Sequence, residues 1–314
     1  MFNNCSDKDK QKYTELIGAV KQLNHEKKTI LNSRAYSLGK SFSNKQTQIK
    51  KLEFAEVFRS ANRKRRFKIS QKYVVSKNTR DSHDTSDYFF GERIAVYTCI
   101  TGGYDLPQEP LILPDNCDYY IITDSNIDES SKWKKIDINN IQFEEDGLTN
   151  PMKNRYVKMH PDKLFPDYDY SLYIDGSIRI CTDVTEYINR ISNYGVSFYD
   201  HNLRDCVYDE IMACIALEKA DKNELLQHKD YLISSGMPEK YGLVACGIIA
   251  RQHNNEMCKK LMNEWWYEYS YHVKRDQLCL PLVLYKNKVL PVDIALLGNN
   301  MYNDDSFEFY KHTV

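Results

Sequence analysis

The sequence predicts an α/β fold, with a mainly parallel sheet flanked by helices and preceded by a helical extension. Three observations lead there. From Arg93 onward, short apolar runs alternate with segments of helical period, the rhythm of βαβ units. Residues 1–88 show helical patterning only, and 314 residues of which 42% are hydrophobic suffice for a substantial core.

In chain order, residues 8–60 carry two amphipathic patterns, Leu16, Ile17, Val20 and Leu23, then Leu52, Ala55, Val57 and Phe58, with polar NSRAYSLGKSFSNKQ between them. They predict two or three helices packed on the main domain or on a second subunit. VSKNTRDSHDTSD is polar, Gly-free and without period, so it reads as a linker and puts a boundary near residue 88. This divides the chain into a basic helical extension, 1–88, and one α/β domain, 89–314. The strands expected in that domain are RIAVYTCI, YYIITD, KKIDI, SLYIDGSIRI, GVSFYD and GLVACGIIA. Helices are expected over Pro151 to Leu164, Val184 to Ile191, Cys206 to Lys219, Asn223 to Ile233, Asn254 to Tyr269 and Arg275 to Tyr285.

The net charge of −1 conceals an asymmetry, because residues 1–88 hold 20 Lys/Arg against 9 Asp/Glu. Arg59, Arg63, Lys64, Arg65, Arg66 and Lys68 form the densest run. Such a run is ordinarily a solvated face. Its functional reading is peripheral contact of residues 50–72 with anionic lipid or an acidic partner, each cation near a membrane surface adding about 1 kcal/mol. No base-reading fold accompanies it, so nucleic acid is not an expected partner. No run of 18 apolar residues occurs and the N-terminus is polar, which predicts a cytoplasmic location, at most peripheral to the inner face of the membrane. Nine cysteines without a CxxC pair predict reduced thiols, with neither a disulfide framework nor a thiolate zinc site.

In open α/β sheets ligands bind beyond the carboxyl ends of the strands, so polar residues at strand ends are the candidates. TCITGGYD ends the first strand and offers Thr98, Gly102, Gly103, Tyr104 and Asp105, the two glycines allowing close backbone approach. It is neither a phosphate-binding Walker loop nor a GxGxxG turn. Asp124 ends the second strand, where it can accept hydrogen bonds from a ribose or base or serve as a turn residue. Lys153, Arg155 and Lys158 bring cations suited to a diphosphate, or a solvated helix face. The apolar strand SLYI breaks at Asp175, Gly176 and Ser177 and resumes before Asp183. A carboxylate leaving a buried strand needs a partner, and a hard divalent cation shared with substrate phosphates is one. Asp200, His201, Arg204, Tyr208 and Glu210 follow within one strand end and two helical turns, with His201 a candidate acid/base or metal ligand and Arg204 a phosphate or sugar clamp. Arg275, Asp276 and Gln277 open an apolar helix, as an acidic cap or as a carboxylate presented to a sugar.

In order, YTCITGGYD, ITD, NRYVKMHPDKLFPDYDYSLYIDGSIRI, DHNLRDCVYDE, YGLVACGIIARQHN and EWWYEYSYHVKRDQL resemble a glycosyltransferase family long described only as a domain of unknown function, with plant TOD/MUCI-type and bacterial capsule or surface-polysaccharide members. The resemblance covers about residues 93–290. It implies a GT-A-like, Rossmann-type sheet and transfer of a sugar from a nucleoside-diphosphate sugar, a uridine diphosphate donor being favoured, to a glycan or lipid-linked acceptor. By position it makes the GGYD loop and Asp124 nucleotide contacts and Asp175 the ribose- or metal-facing carboxylate. Lys153, Arg155, Lys158, Gly176, Ser177, Arg204, Arg275 and Gln277 fall to the sugar nucleotide. Asp276, Glu210 and His201 become the catalytic candidates. Mn2+ or Mg2+ is the implied cofactor, but Ser177 stands where a DxD motif has its second Asp, leaving Asp183 or His201 to complete the ligand set around Asp175. The competing readings are a nucleotidyltransferase acting on sugar phosphates and a catalytically inactive glycan-pathway binding module.

Overall fold

A strand with apolar residues on both faces is stable only where helices cover both sides of its sheet. β1 (Ile94–Ile100) meets that condition, being buried at every position. The computed structural model describes residues 7–33, 36, 65–74 and 91–312. Its strands continue with β2 (Cys117–Thr123), β3 (Lys134–Asp137), β4 (Tyr170–Ile174), β5 (Ile178–Ile180), β6 (Val196–Asp200), β7 (Val244–Gln252) and β8 (Phe307–Phe309). The helices are α1 (Asp7–Asn32), α2 (Asn150–Met159), α3 (Pro161–Leu164), α4 (Val207–Ala216), α5 (Lys222–Ser234), α6 (Glu256–Tyr271), α7 (Asp276–Lys286) and α8 (Pro291–Ile294).

The main sheet has the order β3-β2-β1-β4-β7-β6, and β5 pairs with β8 in a separate two-stranded sheet. Pairing is parallel among β3, β2, β1 and β4, while β7 runs antiparallel to both neighbours. The mainly parallel sheet with flanking helices is thus as expected. The reversal of β7 was not, because a strand buried on both faces reads as the same apolar run in either direction. On one face Tyr97 and Phe198 of the sheet pack with Tyr156, Ile211, Trp265 and Leu282 from α2, α4, α6 and α7. On the other, Val96, Leu172 and Ile248 pack with Tyr187 and Phe307.

Two helices differ from expectation. The segment Pro151 to Leu164 breaks at His160 (φ −122°, ψ 56°), since Pro161 disfavours helical geometry in the residue before it and has no N–H to donate. Val184 to Ile191 is a 3-10 turn, Thr185–Arg190.

The first amphipathic pattern forms one continuous 26-residue helix, α1. It packs on the α/β body by burying Ile17 completely, donating from Tyr13 to Asp183 Oδ2 (2.7 Å) and pairing Lys21 with Glu186. The second pattern, and Arg59, Arg63 and Lys64 of the basic run, lie outside the described residues. The rest of that run is helical over residues 65–70, where Arg66 Nη2 lies 2.5 Å from Glu218 Oε1 just beyond α4. Among the described residues no helix is long and apolar enough to cross a membrane, and every cysteine is free.

Candidate active site

At the carboxyl ends of β1, β4 and β6 lies a cavity of about 810 Å³. Its floor is set by α2 and α7. Successive residues on a helix are 100° apart, so Arg155 and Lys158 project within about 60° of each other, while Lys153 lies more than 100° away. Arg155 and Lys158 accordingly line the cavity, whereas Lys153 lies outside it over the Phe143 ring. The expected three-cation face is a pair.

That pair grips the first residue of α7. Lys158 Nζ is 2.7 Å and Arg155 Nε 3.0 Å from Asp276 Oδ2. Asp276 Oδ1 accepts the Gln277 N–H (3.0 Å), and the Asp276 carbonyl accepts the Trp265 indole N–H (2.9 Å). Burial favours the neutral carboxyl, but the Arg155 and Lys158 charges outweigh it and hold Asp276 well below the usual carboxylate range. Gln277 spends its own amide on strand β7, accepting from Cys246 N (3.2 Å) and donating to Val244 O. A register irregularity between Phe198 and Tyr199 leaves Cys246, Gly247 and Ile248 without partners on β6, which frees the Cys246 N–H for Gln277.

Asp175 leaves β4 beside this group. Its Oδ1 accepts from Tyr173 Oη (3.0 Å) and lies 3.4 Å from Lys158 Nζ, and its backbone N–H donates to Gly247 O (2.8 Å). Gly176 leaves room for Ile100 here, because a Cβ would stand 2.6 Å from Ile100 Cγ1. Tyr104 and Asp105 also line the cavity, as do Gly176 and Ser177. Gly102 and Gly103 both have positive φ, and the Gly102 N–H donates to both oxygens of Asp124 (3.0 and 2.9 Å). Asp124 and Gly103 therefore shape the loop from outside the cavity. Thr98 lies two residues short of the strand end, buried away from the cleft.

His201 and Glu210 line the far end, beyond β6. His201 Nδ1 accepts the Arg204 N–H (3.0 Å), and its Nε2 lies 3.7 Å from Glu210 Oε2. Arg204 is buried behind Glu210 and paired with it, so it supports the carboxylate rather than entering the cavity. Burial raises the Glu210 carboxyl, but His201 and Arg204 outweigh it and leave it below its ordinary value.

Asp183 is placed elsewhere. Fully buried beneath α1, it accepts from Tyr13 Oη, Thr185 N and Thr185 Oγ1, a turn-forming role that keeps it out of the cavity. Among the described residues no three His, Cys, Asp or Glu side chains converge as a metal cage. What remains for an ion is Asp175, since the other carboxylates lining the cavity are engaged, Asp105 with His312, Glu210 with Arg204, and Asp276 with Arg155 and Lys158. That donor set fits an ion held jointly with substrate phosphates and does not fit a dedicated all-protein site.

Several lining residues escaped sequence reasoning. Lys219, Lys274, Tyr302 and His312 all face the cavity, and His312 Nδ1 lies 3.0 Å from Asp105 Oδ2. His312 stands in a short C-terminal segment without periodicity, so only its tertiary neighbours reveal it.

Solved structures with similar folds include the bifunctional glycosyltransferase WbbM in its apo form, with 14% identity over 68% of this chain and a TM-score of 0.38. This chain spans 40% of that protein's length. Another is the galactosyltransferase LgtC in complex with donor and acceptor sugar analogs, with 10% identity over 69% of this chain and 86% of that one and a TM-score of 0.36. No curated protein matches the sequence. The family model for the TOD1/MUCI70 glycosyltransferase-like domain matches residues 38–312, and the chain belongs to that family.

Proposed function

We propose that the protein transfers a sugar from a nucleoside-diphosphate sugar, with uridine diphosphate as the favoured carrier, to a glycan or lipid-linked acceptor, as in capsule or surface polysaccharide synthesis. The observation that carries the reading is the group Arg155, Lys158, Asp175 and Asp276 on the cavity floor, at strand ends where an α/β sheet binds nucleotides. The nucleotide lies along the GGYD loop and the diphosphate beside Asp175. Asp276, ionised and immobile, accepts hydrogen bonds from hydroxyls of the transferred sugar.

In the reaction the bond from the anomeric carbon to the diphosphate oxygen breaks while one to the acceptor hydroxyl oxygen forms. Arg155 and Lys158 lower the cost of the charge developing on the leaving group, usually the largest protein contribution in such a step. A general base works best with a pKa near the working pH, and Asp276 and Glu210 are both held low. Neither carboxylate is therefore cast as the base. The departing diphosphate takes the acceptor proton, a course that suits retention. Mn2+ or Mg2+, held by Asp175 and the donor phosphates, would add Lewis-acid stabilisation of the leaving group.

The test is incubation with a panel of sugar nucleotides and Mn2+. One donor is expected to bind and to be hydrolysed slowly without acceptor. Absence of binding by every donor would reject the reading, and pyrophosphate release from a nucleoside triphosphate and a sugar phosphate would favour a nucleotidyltransferase.

A further inference from the structure

We infer that the end of the cleft beyond β6 binds an anionic group on the acceptor, a carboxylate or a phosphate, through Lys219 and Arg275. The inference deepens the glycosyltransferase reading and rests on it.

The first argument is charge. On the cavity floor two cations, Arg155 and Lys158, face two carboxylates, Asp175 and Asp276, and the group is formally neutral. At the far end Glu210 is already paired with Arg204. Lys219 and Arg275 line the cavity there, and neither has a carboxylate within ion-pair distance among the described residues. Cys214 accepts the Lys219 N–H at its carbonyl (3.0 Å) and donates from Sγ to Glu210 Oε1 (3.6 Å), so Lys219 follows directly on the turn beside Glu210, and α4 packs against α7, whose N-cap is Arg275.

The second argument is an unmet donor. Among the described residues Arg275 Nε is buried without a hydrogen-bond partner, a costly state for a guanidinium unless a ligand supplies the acceptor. Its orientation is inherited from Asp276, the next residue, which Arg155 and Lys158 anchor. Lys219 is held by its backbone. Helix α4 ends in a Schellman turn, with Lys219 N donating to Cys214 O (3.0 Å), Glu218 N to Ile215 O (3.2 Å) and Glu218 left-handed at φ 52°. A non-glycine residue in that conformation is uncommon, and the turn it makes delivers Lys219 to the cavity rim.

The third argument is distance. β6 lies two strands from β4, or about 10 Å at ordinary strand spacing, and the donor's loop follows β1, on the opposite side of β4. On that spacing a diphosphate beside Asp175 stands about two strands from the side of the cleft that His201 and Glu210 occupy. The anion there belongs to the molecule approaching the sugar from the other side, so the acceptor is an acidic sugar or a phosphate-bearing carrier.

The experiment titrates the full chain, saturated with uridine diphosphate, with methyl glucuronide, glucose 6-phosphate and neutral methyl glucoside, followed by NMR. At least one anionic sugar is expected to bind, the stronger arm identifying carboxylate or phosphate, while the neutral sugar is not. Lys219→Gln should weaken the anionic ligand about tenfold and leave uridine diphosphate affinity unchanged. Equal binding of neutral and anionic sugars, no binding of either anion, no effect of Lys219→Gln, or displacement of the anion by excess uridine diphosphate would each overturn the inference. Failure of uridine diphosphate and every other nucleotide to bind would instead bring down the glycosyltransferase reading itself.

Discussion

Lys158 Nζ lies 2.7 Å from Asp276 Oδ2 across a separation of 118 residues, and Arg155 Nε shares the same oxygen at 3.0 Å. A buried lysine and a half-buried arginine converge on one carboxylate, so their fates are linked. Removing one member of a buried ion pair typically costs about 3–5 kcal/mol because the remaining charge is left uncompensated. Asp276→Asn keeps the shape and the Gln277 contact but removes the charge. We expect turnover to fall at least about 100-fold, consistent with loss of a transition-state contact, with a lower Tm and an unchanged fold by circular dichroism. Asp175→Ala should match the loss of turnover with a smaller change in Tm, because Asp175 is part-exposed. Full activity in either variant would remove that residue from the site.

The site's cations also depend on two histidines. His160 Nδ1 lies 2.9 Å from Tyr156 O and His253 Nε2 3.0 Å from Phe165 O, fastening the break between α2 and α3 that follows Lys158. Burial is the main cause that brings both rings down to about 4 from an ordinary 6.5. A depressed folded pKa means the unfolded chain binds protons first. The stabilisation is therefore complete above about pH 6.5 and lost as pH falls toward 4, on the order of 3 kcal/mol per histidine. Thermal unfolding should show Tm declining over that window. His253→Gln, which keeps a donor but does not titrate, should make the decline shallower by about one proton. An unchanged slope would show that His253 titrates normally in the folded protein.

The alternation of apolar runs and helical periods made the strands legible to within a few residues, including the interruption of SLYIDGSIRI at Asp175. Strand direction was not legible, since the run from Val244 to Ala250 in β7 is apolar and reads the same in either direction. In the site, Asp175 and Asp276 stood out because a carboxylate beside a wholly apolar element needs a partner. Local sequence could not tell which partners they had, and Lys153 entered the basic set although its helical phase turns it away. Asp183 entered the ligand set only because Ser177 leaves the DxD pattern incomplete, and the packing of α1 shows that it is consumed by Tyr13 and Thr185. His312 was invisible because it stands in irregular chain after β8, and Lys219 because it falls at the end of an expected helix whose closing turn only the structure shows.

Ser177 gives a direct handle on the metal. It lines the cavity two residues after Asp175, and a single carboxylate leaves most of a divalent ion's shell to phosphates and water. Ser177→Asp adds a second hard oxygen donor on the same turn. Mn2+ binding followed by electron paramagnetic resonance should tighten at least about tenfold in the presence of uridine diphosphate, as expected when ligand charge increases. Unaltered Mn2+ affinity would mean that the side chain at position 177 does not face the ion, and the metal reading would lose its geometric basis.

Gly176 separates a requirement for space from one for charge. Its Cβ position is 2.6 Å from Ile100 Cγ1, a contact that real Cβ atoms do not make, and a tight 3.0 Å from Ile100 Cδ1. Gly176→Ala must displace either Ile100, buried at the end of β1, or the turn that carries Asp175. If the turn moves, Asp175 loses its alignment with Lys158 and turnover falls with little change in donor charge complementarity. If Ile100 moves, the cost appears as stability, typically about 1–3 kcal/mol for overpacking. The double variant Gly176→Ala with Ile100→Ala removes the obstructing side chain. We expect the single variant to lose activity and the double variant to recover part of it while remaining less stable than the wild type. Recovery of activity requires that the turn returned to its place, so a double variant as inactive as the single one would show that clearance from Ile100 is not what the glycine provides.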